Sequence, residues 1–225
     1  MILCLETSAT ICSVALSDRG SLISIRESSA PNDHASVIMK HIDGCLKEAG
    51  IALEEIEAIA ISQGPGSFTG LRVGVSAAKG LCFALGIPLI AISTLSGIAY
   101  RAFHHHPEAI FAIPMIEARK NEVYGAIYRP DMTMELKDQV ITLYPNWHLS
   151  ILPEGSNLVF CGPGSQKYQE INHPSPLQID VQPPSAKNLV DLAFEKHIKK
   201  DYCVTKSFHP NYLKSPHITQ PRKVL

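Results

Sequence analysis

Hydrophobic and polar positions alternate along the first hundred residues in short segments that predict strands and helices in turn. Three apolar segments separated by short polar turns predict an antiparallel three-stranded start: MILCLET, CSVALSD and GSLISIRESS. Apolar positions at helical spacing predict a helix over His34–Ala49, which Gly50 ends. Continuous apolar runs then predict buried strands at Glu57–Ser62 and Ile87–Ser93, with a helix over Ser67–Leu85 between them. Strand, helix and strand in this order predict a right-handed crossover in a mixed sheet.

Two elements of this pattern recur, in the same order, in the second half of the chain. The segments Ile2–Leu16 and Ala112–Tyr128 share an apolar strand ending in a glutamate, a short polar turn and a second strand; the glutamates are Glu6 and Glu117. The segments AISQGPGSF and VFCGPGSQK each run from a strand through Gly-Pro-Gly-Ser into a helix. This repetition predicts two copies of one supersecondary unit. In place of the long helix of the first copy, the second has Asp131–Gly155, which is rich in Pro, Asn and Asp.

Duplicated hairpin-plus-helix units with an acidic residue at the first turn are the plan of the actin-like, ribonuclease-H-like ATPase architecture. We therefore expect an α/β fold of two tandem ribonuclease-H-like subdomains with mixed sheets, the second one reduced. The expected domains are residues 1–103 and 104–225, divided near the polar stretch Tyr100–Pro107. His104, His105 and His106 diverge because they are consecutive, so this stretch is expected to be a solvated linking loop and not a metal site.

Composition and charge exclude some classes of protein but do not change the predicted fold. Hydrophobic residues are 45% and charged residues 18%, which is ordinary for a folded domain. A formal charge of −1 gives no global basic field, so nucleic acid would be met through a local patch or a partner. The six cysteines include no CxxC pair and mostly lie in apolar runs, which is typical of buried thiols in a cytoplasmic protein. No signal peptide, membrane span or membrane partner is expected.

The stretch GPGSFTGLRVG combines a strand-to-helix turn with several glycines. Gly64, Gly66 and Ser67 could cradle a phosphate at the helix N-terminus, with Ser67 as the N-cap. However, no Lys-Ser or Lys-Thr pair follows as in a P-loop, and the pattern is not GxGxxG. Gly70 and Gly74 lie one turn apart on one helix face, where glycine usually permits a close approach. That approach is either to the protein's own sheet or to a helix of a partner, and the residues alone leave both open.

Five segments resemble the glycoprotease-like, TsaD-related family, in order from Ile2 to about Lys214. They are ILCLETSATICSVAL, HASVIMKHI, ISQGPGSFTGLRVGVSAAKGLCFALGIPLIAISTL, IEARKNEVY and HPNYLK. The resemblance implies a non-catalytic scaffold and activating subunit. Its TsaD-type catalytic paralogue transfers a threonylcarbamoyl group to adenosine 37 of tRNAs that read ANN codons, and a TsaE-type ATPase regulates the complex. On this basis tRNA is reached through the complex, and the chain forms a homodimer when alone. An actin-like ATP-dependent enzyme and a metallopeptidase are the alternatives.

The resemblance also implies that the helices over His34–Ala49 and Ser67–Leu85 form the partner surface. The residues expected to make that interface are His34, Ile38, Gly70, Leu71, Gly74, Val75 and Ala78. TsaD-type paralogues carry a metal-binding His-x-x-x-His at the start of the first helix, where this chain has His34 followed by Ile38. No metal site and no catalytic residue are therefore expected. Weak ATP or ADP binding, at the interface with partners, is the only cofactor expectation.

The residues at the two hairpin turns allow more than one role. Glu6 and Glu117 stand where actin-like kinases place metal-coordinating or base-positioning aspartates, but carboxylates at such turns more commonly accept backbone N–H groups. Arg119 and Lys120 either hold a phosphate or form the solvent side of the turn, and we prefer the second.

Overall fold

The computed structural model of this chain describes residues 1–28, 33–172 and 177–214 and contains two five-stranded mixed sheets. The first sheet has the order β3-β2-β1-β4-β5, with β1 antiparallel to β2 and parallel to β4. The predicted antiparallel start and the crossover are therefore confirmed. The elements of this half are β1 (Ile2–Glu6), β2 (Ser13–Asp18), β3 (Ser21–Glu27), α1 (His34–Ala49), β4 (Ala58–Ser62), α2 (Phe68–Leu85), β5 (Leu89–Ile92) and α3 (Thr94–His105).

The second sheet repeats the topology of the first. Its order is β10-β9-β6-β7-β8, with β6 antiparallel to β7 and parallel to β9. The internal repeat and the α/β fold of two mixed sheets are confirmed. The elements of this half are β6 (Phe111–Glu117), β7 (Glu122–Tyr128), β8 (Met134–Thr142), β9 (Leu158–Cys161), α4 (Ser165–Asn172), β10 (Ile179–Asp180) and α5 (Val190–Ile198).

The second copy is reduced in two places. Between β8 and β9, where the first copy has the 16-residue α1, the chain forms only the short 3-10 turn Trp147–Ser150. The helix after the second Gly-Pro-Gly-Ser turn, α4, has 8 residues, whereas α2 has 18. Asp131–Gly155 is not irregular throughout, however, because it contains the nine-residue edge strand β8.

The last helix of each half packs on the sheet of the other half. The inner face of α3, including Leu95 and Ile98, joins a core with Ala112 and Val159 of the second sheet. The turn Ala186–Leu189 and α5 instead pack on Ile2, Cys4 and Ile90 of the first sheet. Packing therefore crosses the expected division at residues 103 and 104 in both directions, because helices α3 and α5 cover sheets from which they do not originate.

The stretch Tyr100–Pro107 is not a linking loop, and that expectation is wrong. His104 and His105 form the last turn of α3, and His106 caps it. Within the same stretch the Arg101 guanidinium lies 2.5 Å from the Asp180 carboxylate in a buried ion pair. The polar residues of this segment obscured its helical periodicity in the sequence. One of them, Arg101, forms the buried ion pair with Asp180.

Helix α2 is amphipathic and lies over the first sheet. Its inner residues are buried, and Leu71, Ala78 and Cys82 are among them. Among the described helices it alone is long and apolar enough to span a membrane by composition, a test that core helices of soluble proteins also pass. Its buried residues pack on β4, whereas Phe83 on its outward side is exposed.

Candidate functional site

A cleft of about 770 Å³ lies between the two halves, at the end of both sheets where the hairpin turns meet. The turn after β1 contributes Ser8 and Thr10, and the turn after β6 contributes Glu117 and Arg119. The two Gly-Pro-Gly-Ser turns complete the wall with Gly66, Ser67 and Pro163. The two repeats thus place equivalent segments at one site.

The Gly64–Ser67 turn braces the first hairpin. The backbone N–H of Ser67 donates to the carbonyl oxygen of Ser8 at 2.7 Å, and a Cβ on Gly66 would lie 2.7 Å from the Cβ of Ser8. The Oγ of Ser67 accepts from the N–H of Gly70 at 3.3 Å, which confirms Ser67 as the N-cap of α2. Gly64 faces away from the cleft, since its Cβ would lie 2.9 Å from the carbonyl oxygen of Asn211.

This arrangement is a poor match to a phosphate cradle. Such a cradle needs several backbone N–H groups that converge on an anion. Here the N–H of Ser67 and the hydroxyl of Ser67 are both used within the chain, and Gly64 points elsewhere. The close approach of Gly66 to Ser8 accounts for the glycine without a ligand.

The two glutamates of the repeat differ in burial. Glu6 is 1% exposed, and its Oε1 accepts from the N–H of Ser8 at 2.7 Å and from the hydroxyl of Ser62 at 2.8 Å. Burial raises the pKa of the Glu6 carboxyl, and the hydrogen bonds from Ser8 and Ser62 oppose that shift. The expectation that this carboxylate accepts a backbone N–H is confirmed for Glu6. Glu117 is exposed and lines the cleft.

Basic side chains surround the second hairpin turn. Arg119 and Lys120 are exposed, which agrees with the solvent side of the turn, and Arg119 also lines the cleft. Lys167 donates its Nζ to the carbonyl oxygen of Arg119 at 2.7 Å. Lys214, near the end of the described chain, forms an ion pair with Glu122. This ion pair connects the C-terminal segment to the second half.

The residues predicted for the partner interface lie inside the chain, and their assignment to an interface stays a prediction. All seven are buried: His34, Ile38, Gly70, Leu71, Gly74, Val75 and Ala78. Gly70 and Gly74 permit the close approach of α2 to the turn after β1, because a Cβ on either would collide with Thr7. His34 points to the same hairpin, with its Nε2 3.0 Å from the carbonyl oxygen of Ala9. Ile38, four residues on, belongs to the core of the first half.

The surface of these two helices is formed by other residues. Phe83 is 89% exposed on α2, and Met39 is 53% exposed on α1. A Cβ on Gly80 would meet no atom within 4 Å, unlike those on Gly70 and Gly74. We call the uncharged part of the outward surface of α2 the outer α2 face; Phe83, one turn after Lys79, lies at its border with the flank that carries Arg72 and Lys79. Its exposed or half-buried residues are Thr69, Val73, Ala77, Gly80, Phe83 and Ala84.

A C-terminal segment without a periodic sequence pattern crosses α2. Residues 203–214 contain little regular structure, but the N–H of Asn211 donates to the carbonyl of Gln63 at 2.7 Å. The ring of Tyr212 stacks on Phe68 with centroids 4.8 Å apart. We call residues 203–214 the strap. The only signal in the sequence was HPNYLK, which lacks periodicity because the strap is held by isolated contacts.

No group of three or more His, Cys, Asp or Glu with the geometry of a metal site occurs in residues 1–28, 33–172 and 177–214. The described side chains of the triple histidine diverge, as expected: His105 faces Asp180 at 3.4 Å, whereas His106 faces Glu108 at 3.7 Å. These residues therefore bind neighbours of the same chain.

Comparison with known proteins gives one consistent result. The family model of TsaD, tRNA N6-adenosine threonylcarbamoyltransferase, matches residues 26–194. The TsaB protein of Haemophilus influenzae, named for tRNA threonylcarbamoyladenosine biosynthesis, is 32% identical over 95% of this chain and 93% of its own length. The structure of YeaZ from Pseudomonas aeruginosa matches with a TM-score of 0.83 and 30% identity, over 94% of this chain and 99% of that one.

A more distant structure supports the fold. The activator of the 2-hydroxyisocaproyl-CoA dehydratase from Clostridium difficile matches with a TM-score of 0.52 and 13% identity, over 89% of this chain and 96% of that one. This likeness concerns the fold alone and agrees with tandem ribonuclease-H-like subdomains of the actin-like type. The family match, the relative and the YeaZ structure each cover most of the chain. The chain belongs to the TsaB (YeaZ) family of tRNA threonylcarbamoyladenosine biosynthesis proteins, which is related to TsaD.

Proposed function

We propose that this chain is a non-catalytic scaffold and activating subunit of the complex that forms N6-threonylcarbamoyladenosine at position 37 of tRNAs reading ANN codons. In this role it binds a TsaD-type catalytic paralogue in the cytoplasm, and a TsaE-type ATPase and the tRNA join through the complex. The observation that carries the proposal is the outer α2 face beside α1, where Phe83 is 89% exposed. A large aromatic side chain so exposed, beside the small uncharged residues Gly80 and Ala84, is typical of a surface that another protein covers.

The shape of the outer α2 face suits a helix of a related protein. Small residues at Ala77, Gly80 and Ala84 recur at helical spacing, so a partner helix can approach closely along them. Phe83 and Met39 would add apolar area at the rim of that contact. A paralogue built on the same fold would offer an equivalent pair of helices, and so would a second copy of this chain. We therefore propose a homodimer through the same face when no paralogue is present.

Residues of the first half near the cleft support the non-catalytic part of the proposal. The TsaD-type His-x-x-x-His pair is incomplete because the second position is Ile38, a core residue that is 3% exposed. Glu6, the acidic residue of the first turn, is sealed from solvent and bonded to Ser8 and Ser62. Weak ATP or ADP binding remains a proposal that rests on the volume of the cleft, and the Gly64–Ser67 turn adds little to it.

The test is co-purification of the chain with a TsaD-type paralogue, using variants of the outer α2 face. Phe83→Glu places a charge where apolar contact is proposed, and Gly80→Leu blocks close approach. Each should lower affinity for the paralogue at least about 10-fold, a loss of about 1.4 kcal/mol, and weaken the homodimer. The matched control is Ile198→Glu on α5, whose side chain is 64% exposed on a different helix.

Circular dichroism of all three variants should match the wild type, since none of these side chains is buried. If Phe83→Glu and Gly80→Leu both bind the paralogue as tightly as the wild type, the outer α2 face is not the interface. Equal weakening by Ile198→Glu would show that any added surface charge disturbs binding.

A further inference from the structure

A groove of about 450 Å³ runs between α2 and the strap. Lys79 of α2 donates its Nζ to the carbonyl oxygens of Lys206 at 3.2 Å and Phe208 at 3.0 Å, which fixes the strap over the helix. Arg72, two turns earlier on α2, donates its Nε to the hydroxyl of Tyr212 at 3.3 Å. The groove is therefore built by contacts between distant parts of the chain.

The groove offers positive charge and hydrogen-bond donors without any opposing carboxylate. Its charged lining residues, Arg72 and Lys79, are both cations, and His209 and the hydroxyl of Ser76 line it as well. Neither α2 nor the strap contains an Asp or Glu. Within the described residues, no side-chain carboxylate lies within 4.0 Å of the side-chain nitrogens of Arg72, Lys79 or Lys206. On a chain with a formal charge of −1, this is a local cationic patch that favours an anionic ligand.

The cations extend too far for a single small anion. Arg72 and Lys79 are seven residues apart, roughly 10 Å along the helix axis. Lys206 is exposed on the strap, and the strap ends at Lys214 on the rim of the central cleft. A row of positive groups over this distance fits successive charges of a polyanion.

An aromatic ring accompanies the row of cations. Tyr212 is 36% exposed and stacks on Phe68, so part of the ring is available at the edge of the groove. Basic side chains that follow a backbone, beside an aromatic ring that a base can stack on, are the combination by which proteins bind single-stranded nucleic acid. This combination favours RNA over an acidic polypeptide or an anionic lipid surface.

We propose that the groove between α2 and the strap binds the phosphodiester backbone of the tRNA, so that this subunit contacts the substrate directly. The inference rests on the proposed function for the identity of the RNA. Arg72 and Lys79 lie on the flank of α2 that faces the strap, whereas Val73 and Ala77 lie on the flank that packs with the core beneath α1. The paralogue and the tRNA would therefore contact adjoining sides of α2, with Phe83, one turn after Lys79, at the border between them.

The test compares two double variants in the complex with a TsaD-type paralogue. Arg72→Gln with Lys206→Gln removes one charge from the groove and one from the strap beside it. Lys137→Gln with Lys199→Gln removes two charges from exposed positions on β8 and just after α5, and serves as the matched control. Binding of fluorescently labelled tRNA is measured as a function of salt, and the KM for tRNA is measured in the modification assay.

For the groove variant we expect roughly 10-fold weaker tRNA binding and a similar rise in KM. The salt slope of log K should fall by about 2, one for each phosphate that a removed charge no longer neutralises. The control should keep the wild-type values. Unchanged binding and slope in the groove variant would overturn the inference, as would an equal change in the control. Polyglutamate that displaces labelled tRNA as well as unlabelled tRNA does would also overturn it, because the groove would then suit any polyanion.

The tRNA-binding measurement distinguishes a failure of this inference from a failure of the proposed function. If the wild-type complex binds tRNA through the groove but never modifies it, the proposed function fails and the groove stands. If the complex modifies tRNA and the groove variant does so with the wild-type KM, the function stands and the groove does not bind RNA.

Discussion

Gly74 of α2 lies directly against the Oγ1 of Thr7, the residue that follows strand β1. One turn earlier, Gly70 lies in the same way against the carbonyl oxygen of Thr7. The two glycines therefore set the distance between α2 and the first hairpin turn, and they position that turn at the central cleft. They serve the interior of the first half, and the surface of α2 belongs to other residues.

Replacing Gly74 with alanine should destabilise the fold by about 1–3 kcal/mol, the usual cost of overpacking, because the new Cβ would overlap Thr7 and lie 3.0 Å from Ile61. Gly80→Ala on the same helix is the matched control, since its Cβ meets nothing within 4 Å. The control should gain roughly 0.5–1 kcal/mol from helix propensity. Urea unfolding of both variants measures this difference. A Gly74→Ala protein as stable as the wild type would contradict the assigned contact.

The ion pair between Arg101 and Asp180 should be important for the second half. Both side chains are at least nine-tenths buried, and Arg101→Ala would leave the Asp180 carboxylate without its nearest cation. We expect a loss of about 3–5 kcal/mol in the free energy of unfolding. Lys199→Ala, which breaks an exposed pair with Glu195 on α5, should cost less than about 1 kcal/mol. Thermal unfolding of both variants measures the difference. Equal losses of stability in Arg101→Ala and Lys199→Ala would show that the buried ion pair contributes no more than the exposed one.

The buried Glu6 should make stability depend on pH. Because burial raises its folded-state pKa above the usual value of 4.5, the native state binds the proton more tightly than the unfolded chain. The resulting contribution to stability is fully present below pH 4.5 and is lost as pH rises through the folded-state pKa. Glu6→Gln keeps an acceptor oxygen for Ser8 and cannot ionise, so its unfolding free energy should lack this decline.

The measurement for Glu6 is urea unfolding of the wild type and Glu6→Gln between about pH 4 and 8. Glu57→Gln is a control of opposite sign, because a hydrogen bond from the N-terminus lowers the pKa of Glu57. If the Glu6→Gln and wild-type curves stay parallel over the whole range, Glu6 does not titrate differently in the folded state.

Ser67 is expected to act only as a helix cap. Ser67→Ala should lower the free energy of unfolding by about 1 kcal/mol, the usual cost of losing an N-cap hydroxyl, and by the same amount with and without ADP. An ADP-dependent rise in melting temperature that is present in the wild type and absent in Ser67→Ala would instead assign the hydroxyl to a nucleotide site.

Local pattern was sufficient for the repeating core of the fold. The bounds of α1 were predicted to the residue because Gly50, in a left-handed conformation, ends an uninterrupted helical pattern. The two hairpins and the two Gly-Pro-Gly-Ser turns were visible because each is a short contiguous segment that occurs twice. Strand β8 was missed because its inner face carries Asp138, which breaks the apolar alternation. Asp138 accepts from the hydroxyls of Ser93 at 2.5 Å and Tyr128 at 3.0 Å, a long-range reason that no local pattern contains.

Contacts between distant segments limited the rest. An apolar stripe on α3 does not say which sheet it covers, so the exchange of α3 and α5 between the halves was not predictable. In the same way, the spacing of Gly70 and Gly74 indicates that another segment approaches α2 closely, but it does not indicate which segment. The residues predicted for the interface are buried in the chain for this reason, since the spacing that marks the inner face of an amphipathic helix says nothing about a partner.

The central claim is that this chain contributes assembly and not chemistry, and reconstituted tRNA modification tests it most directly. Threonylcarbamoyladenosine in an ANN-reading tRNA should be measured with this chain alone, with the TsaD-type and TsaE-type proteins alone, and with all three proteins together, each with a threonylcarbamoyl donor. The account predicts modified tRNA only in the complete mixture, and its loss when Phe83→Glu replaces the wild type. Modified tRNA formed by this chain alone, or formed equally well without it, would contradict the account.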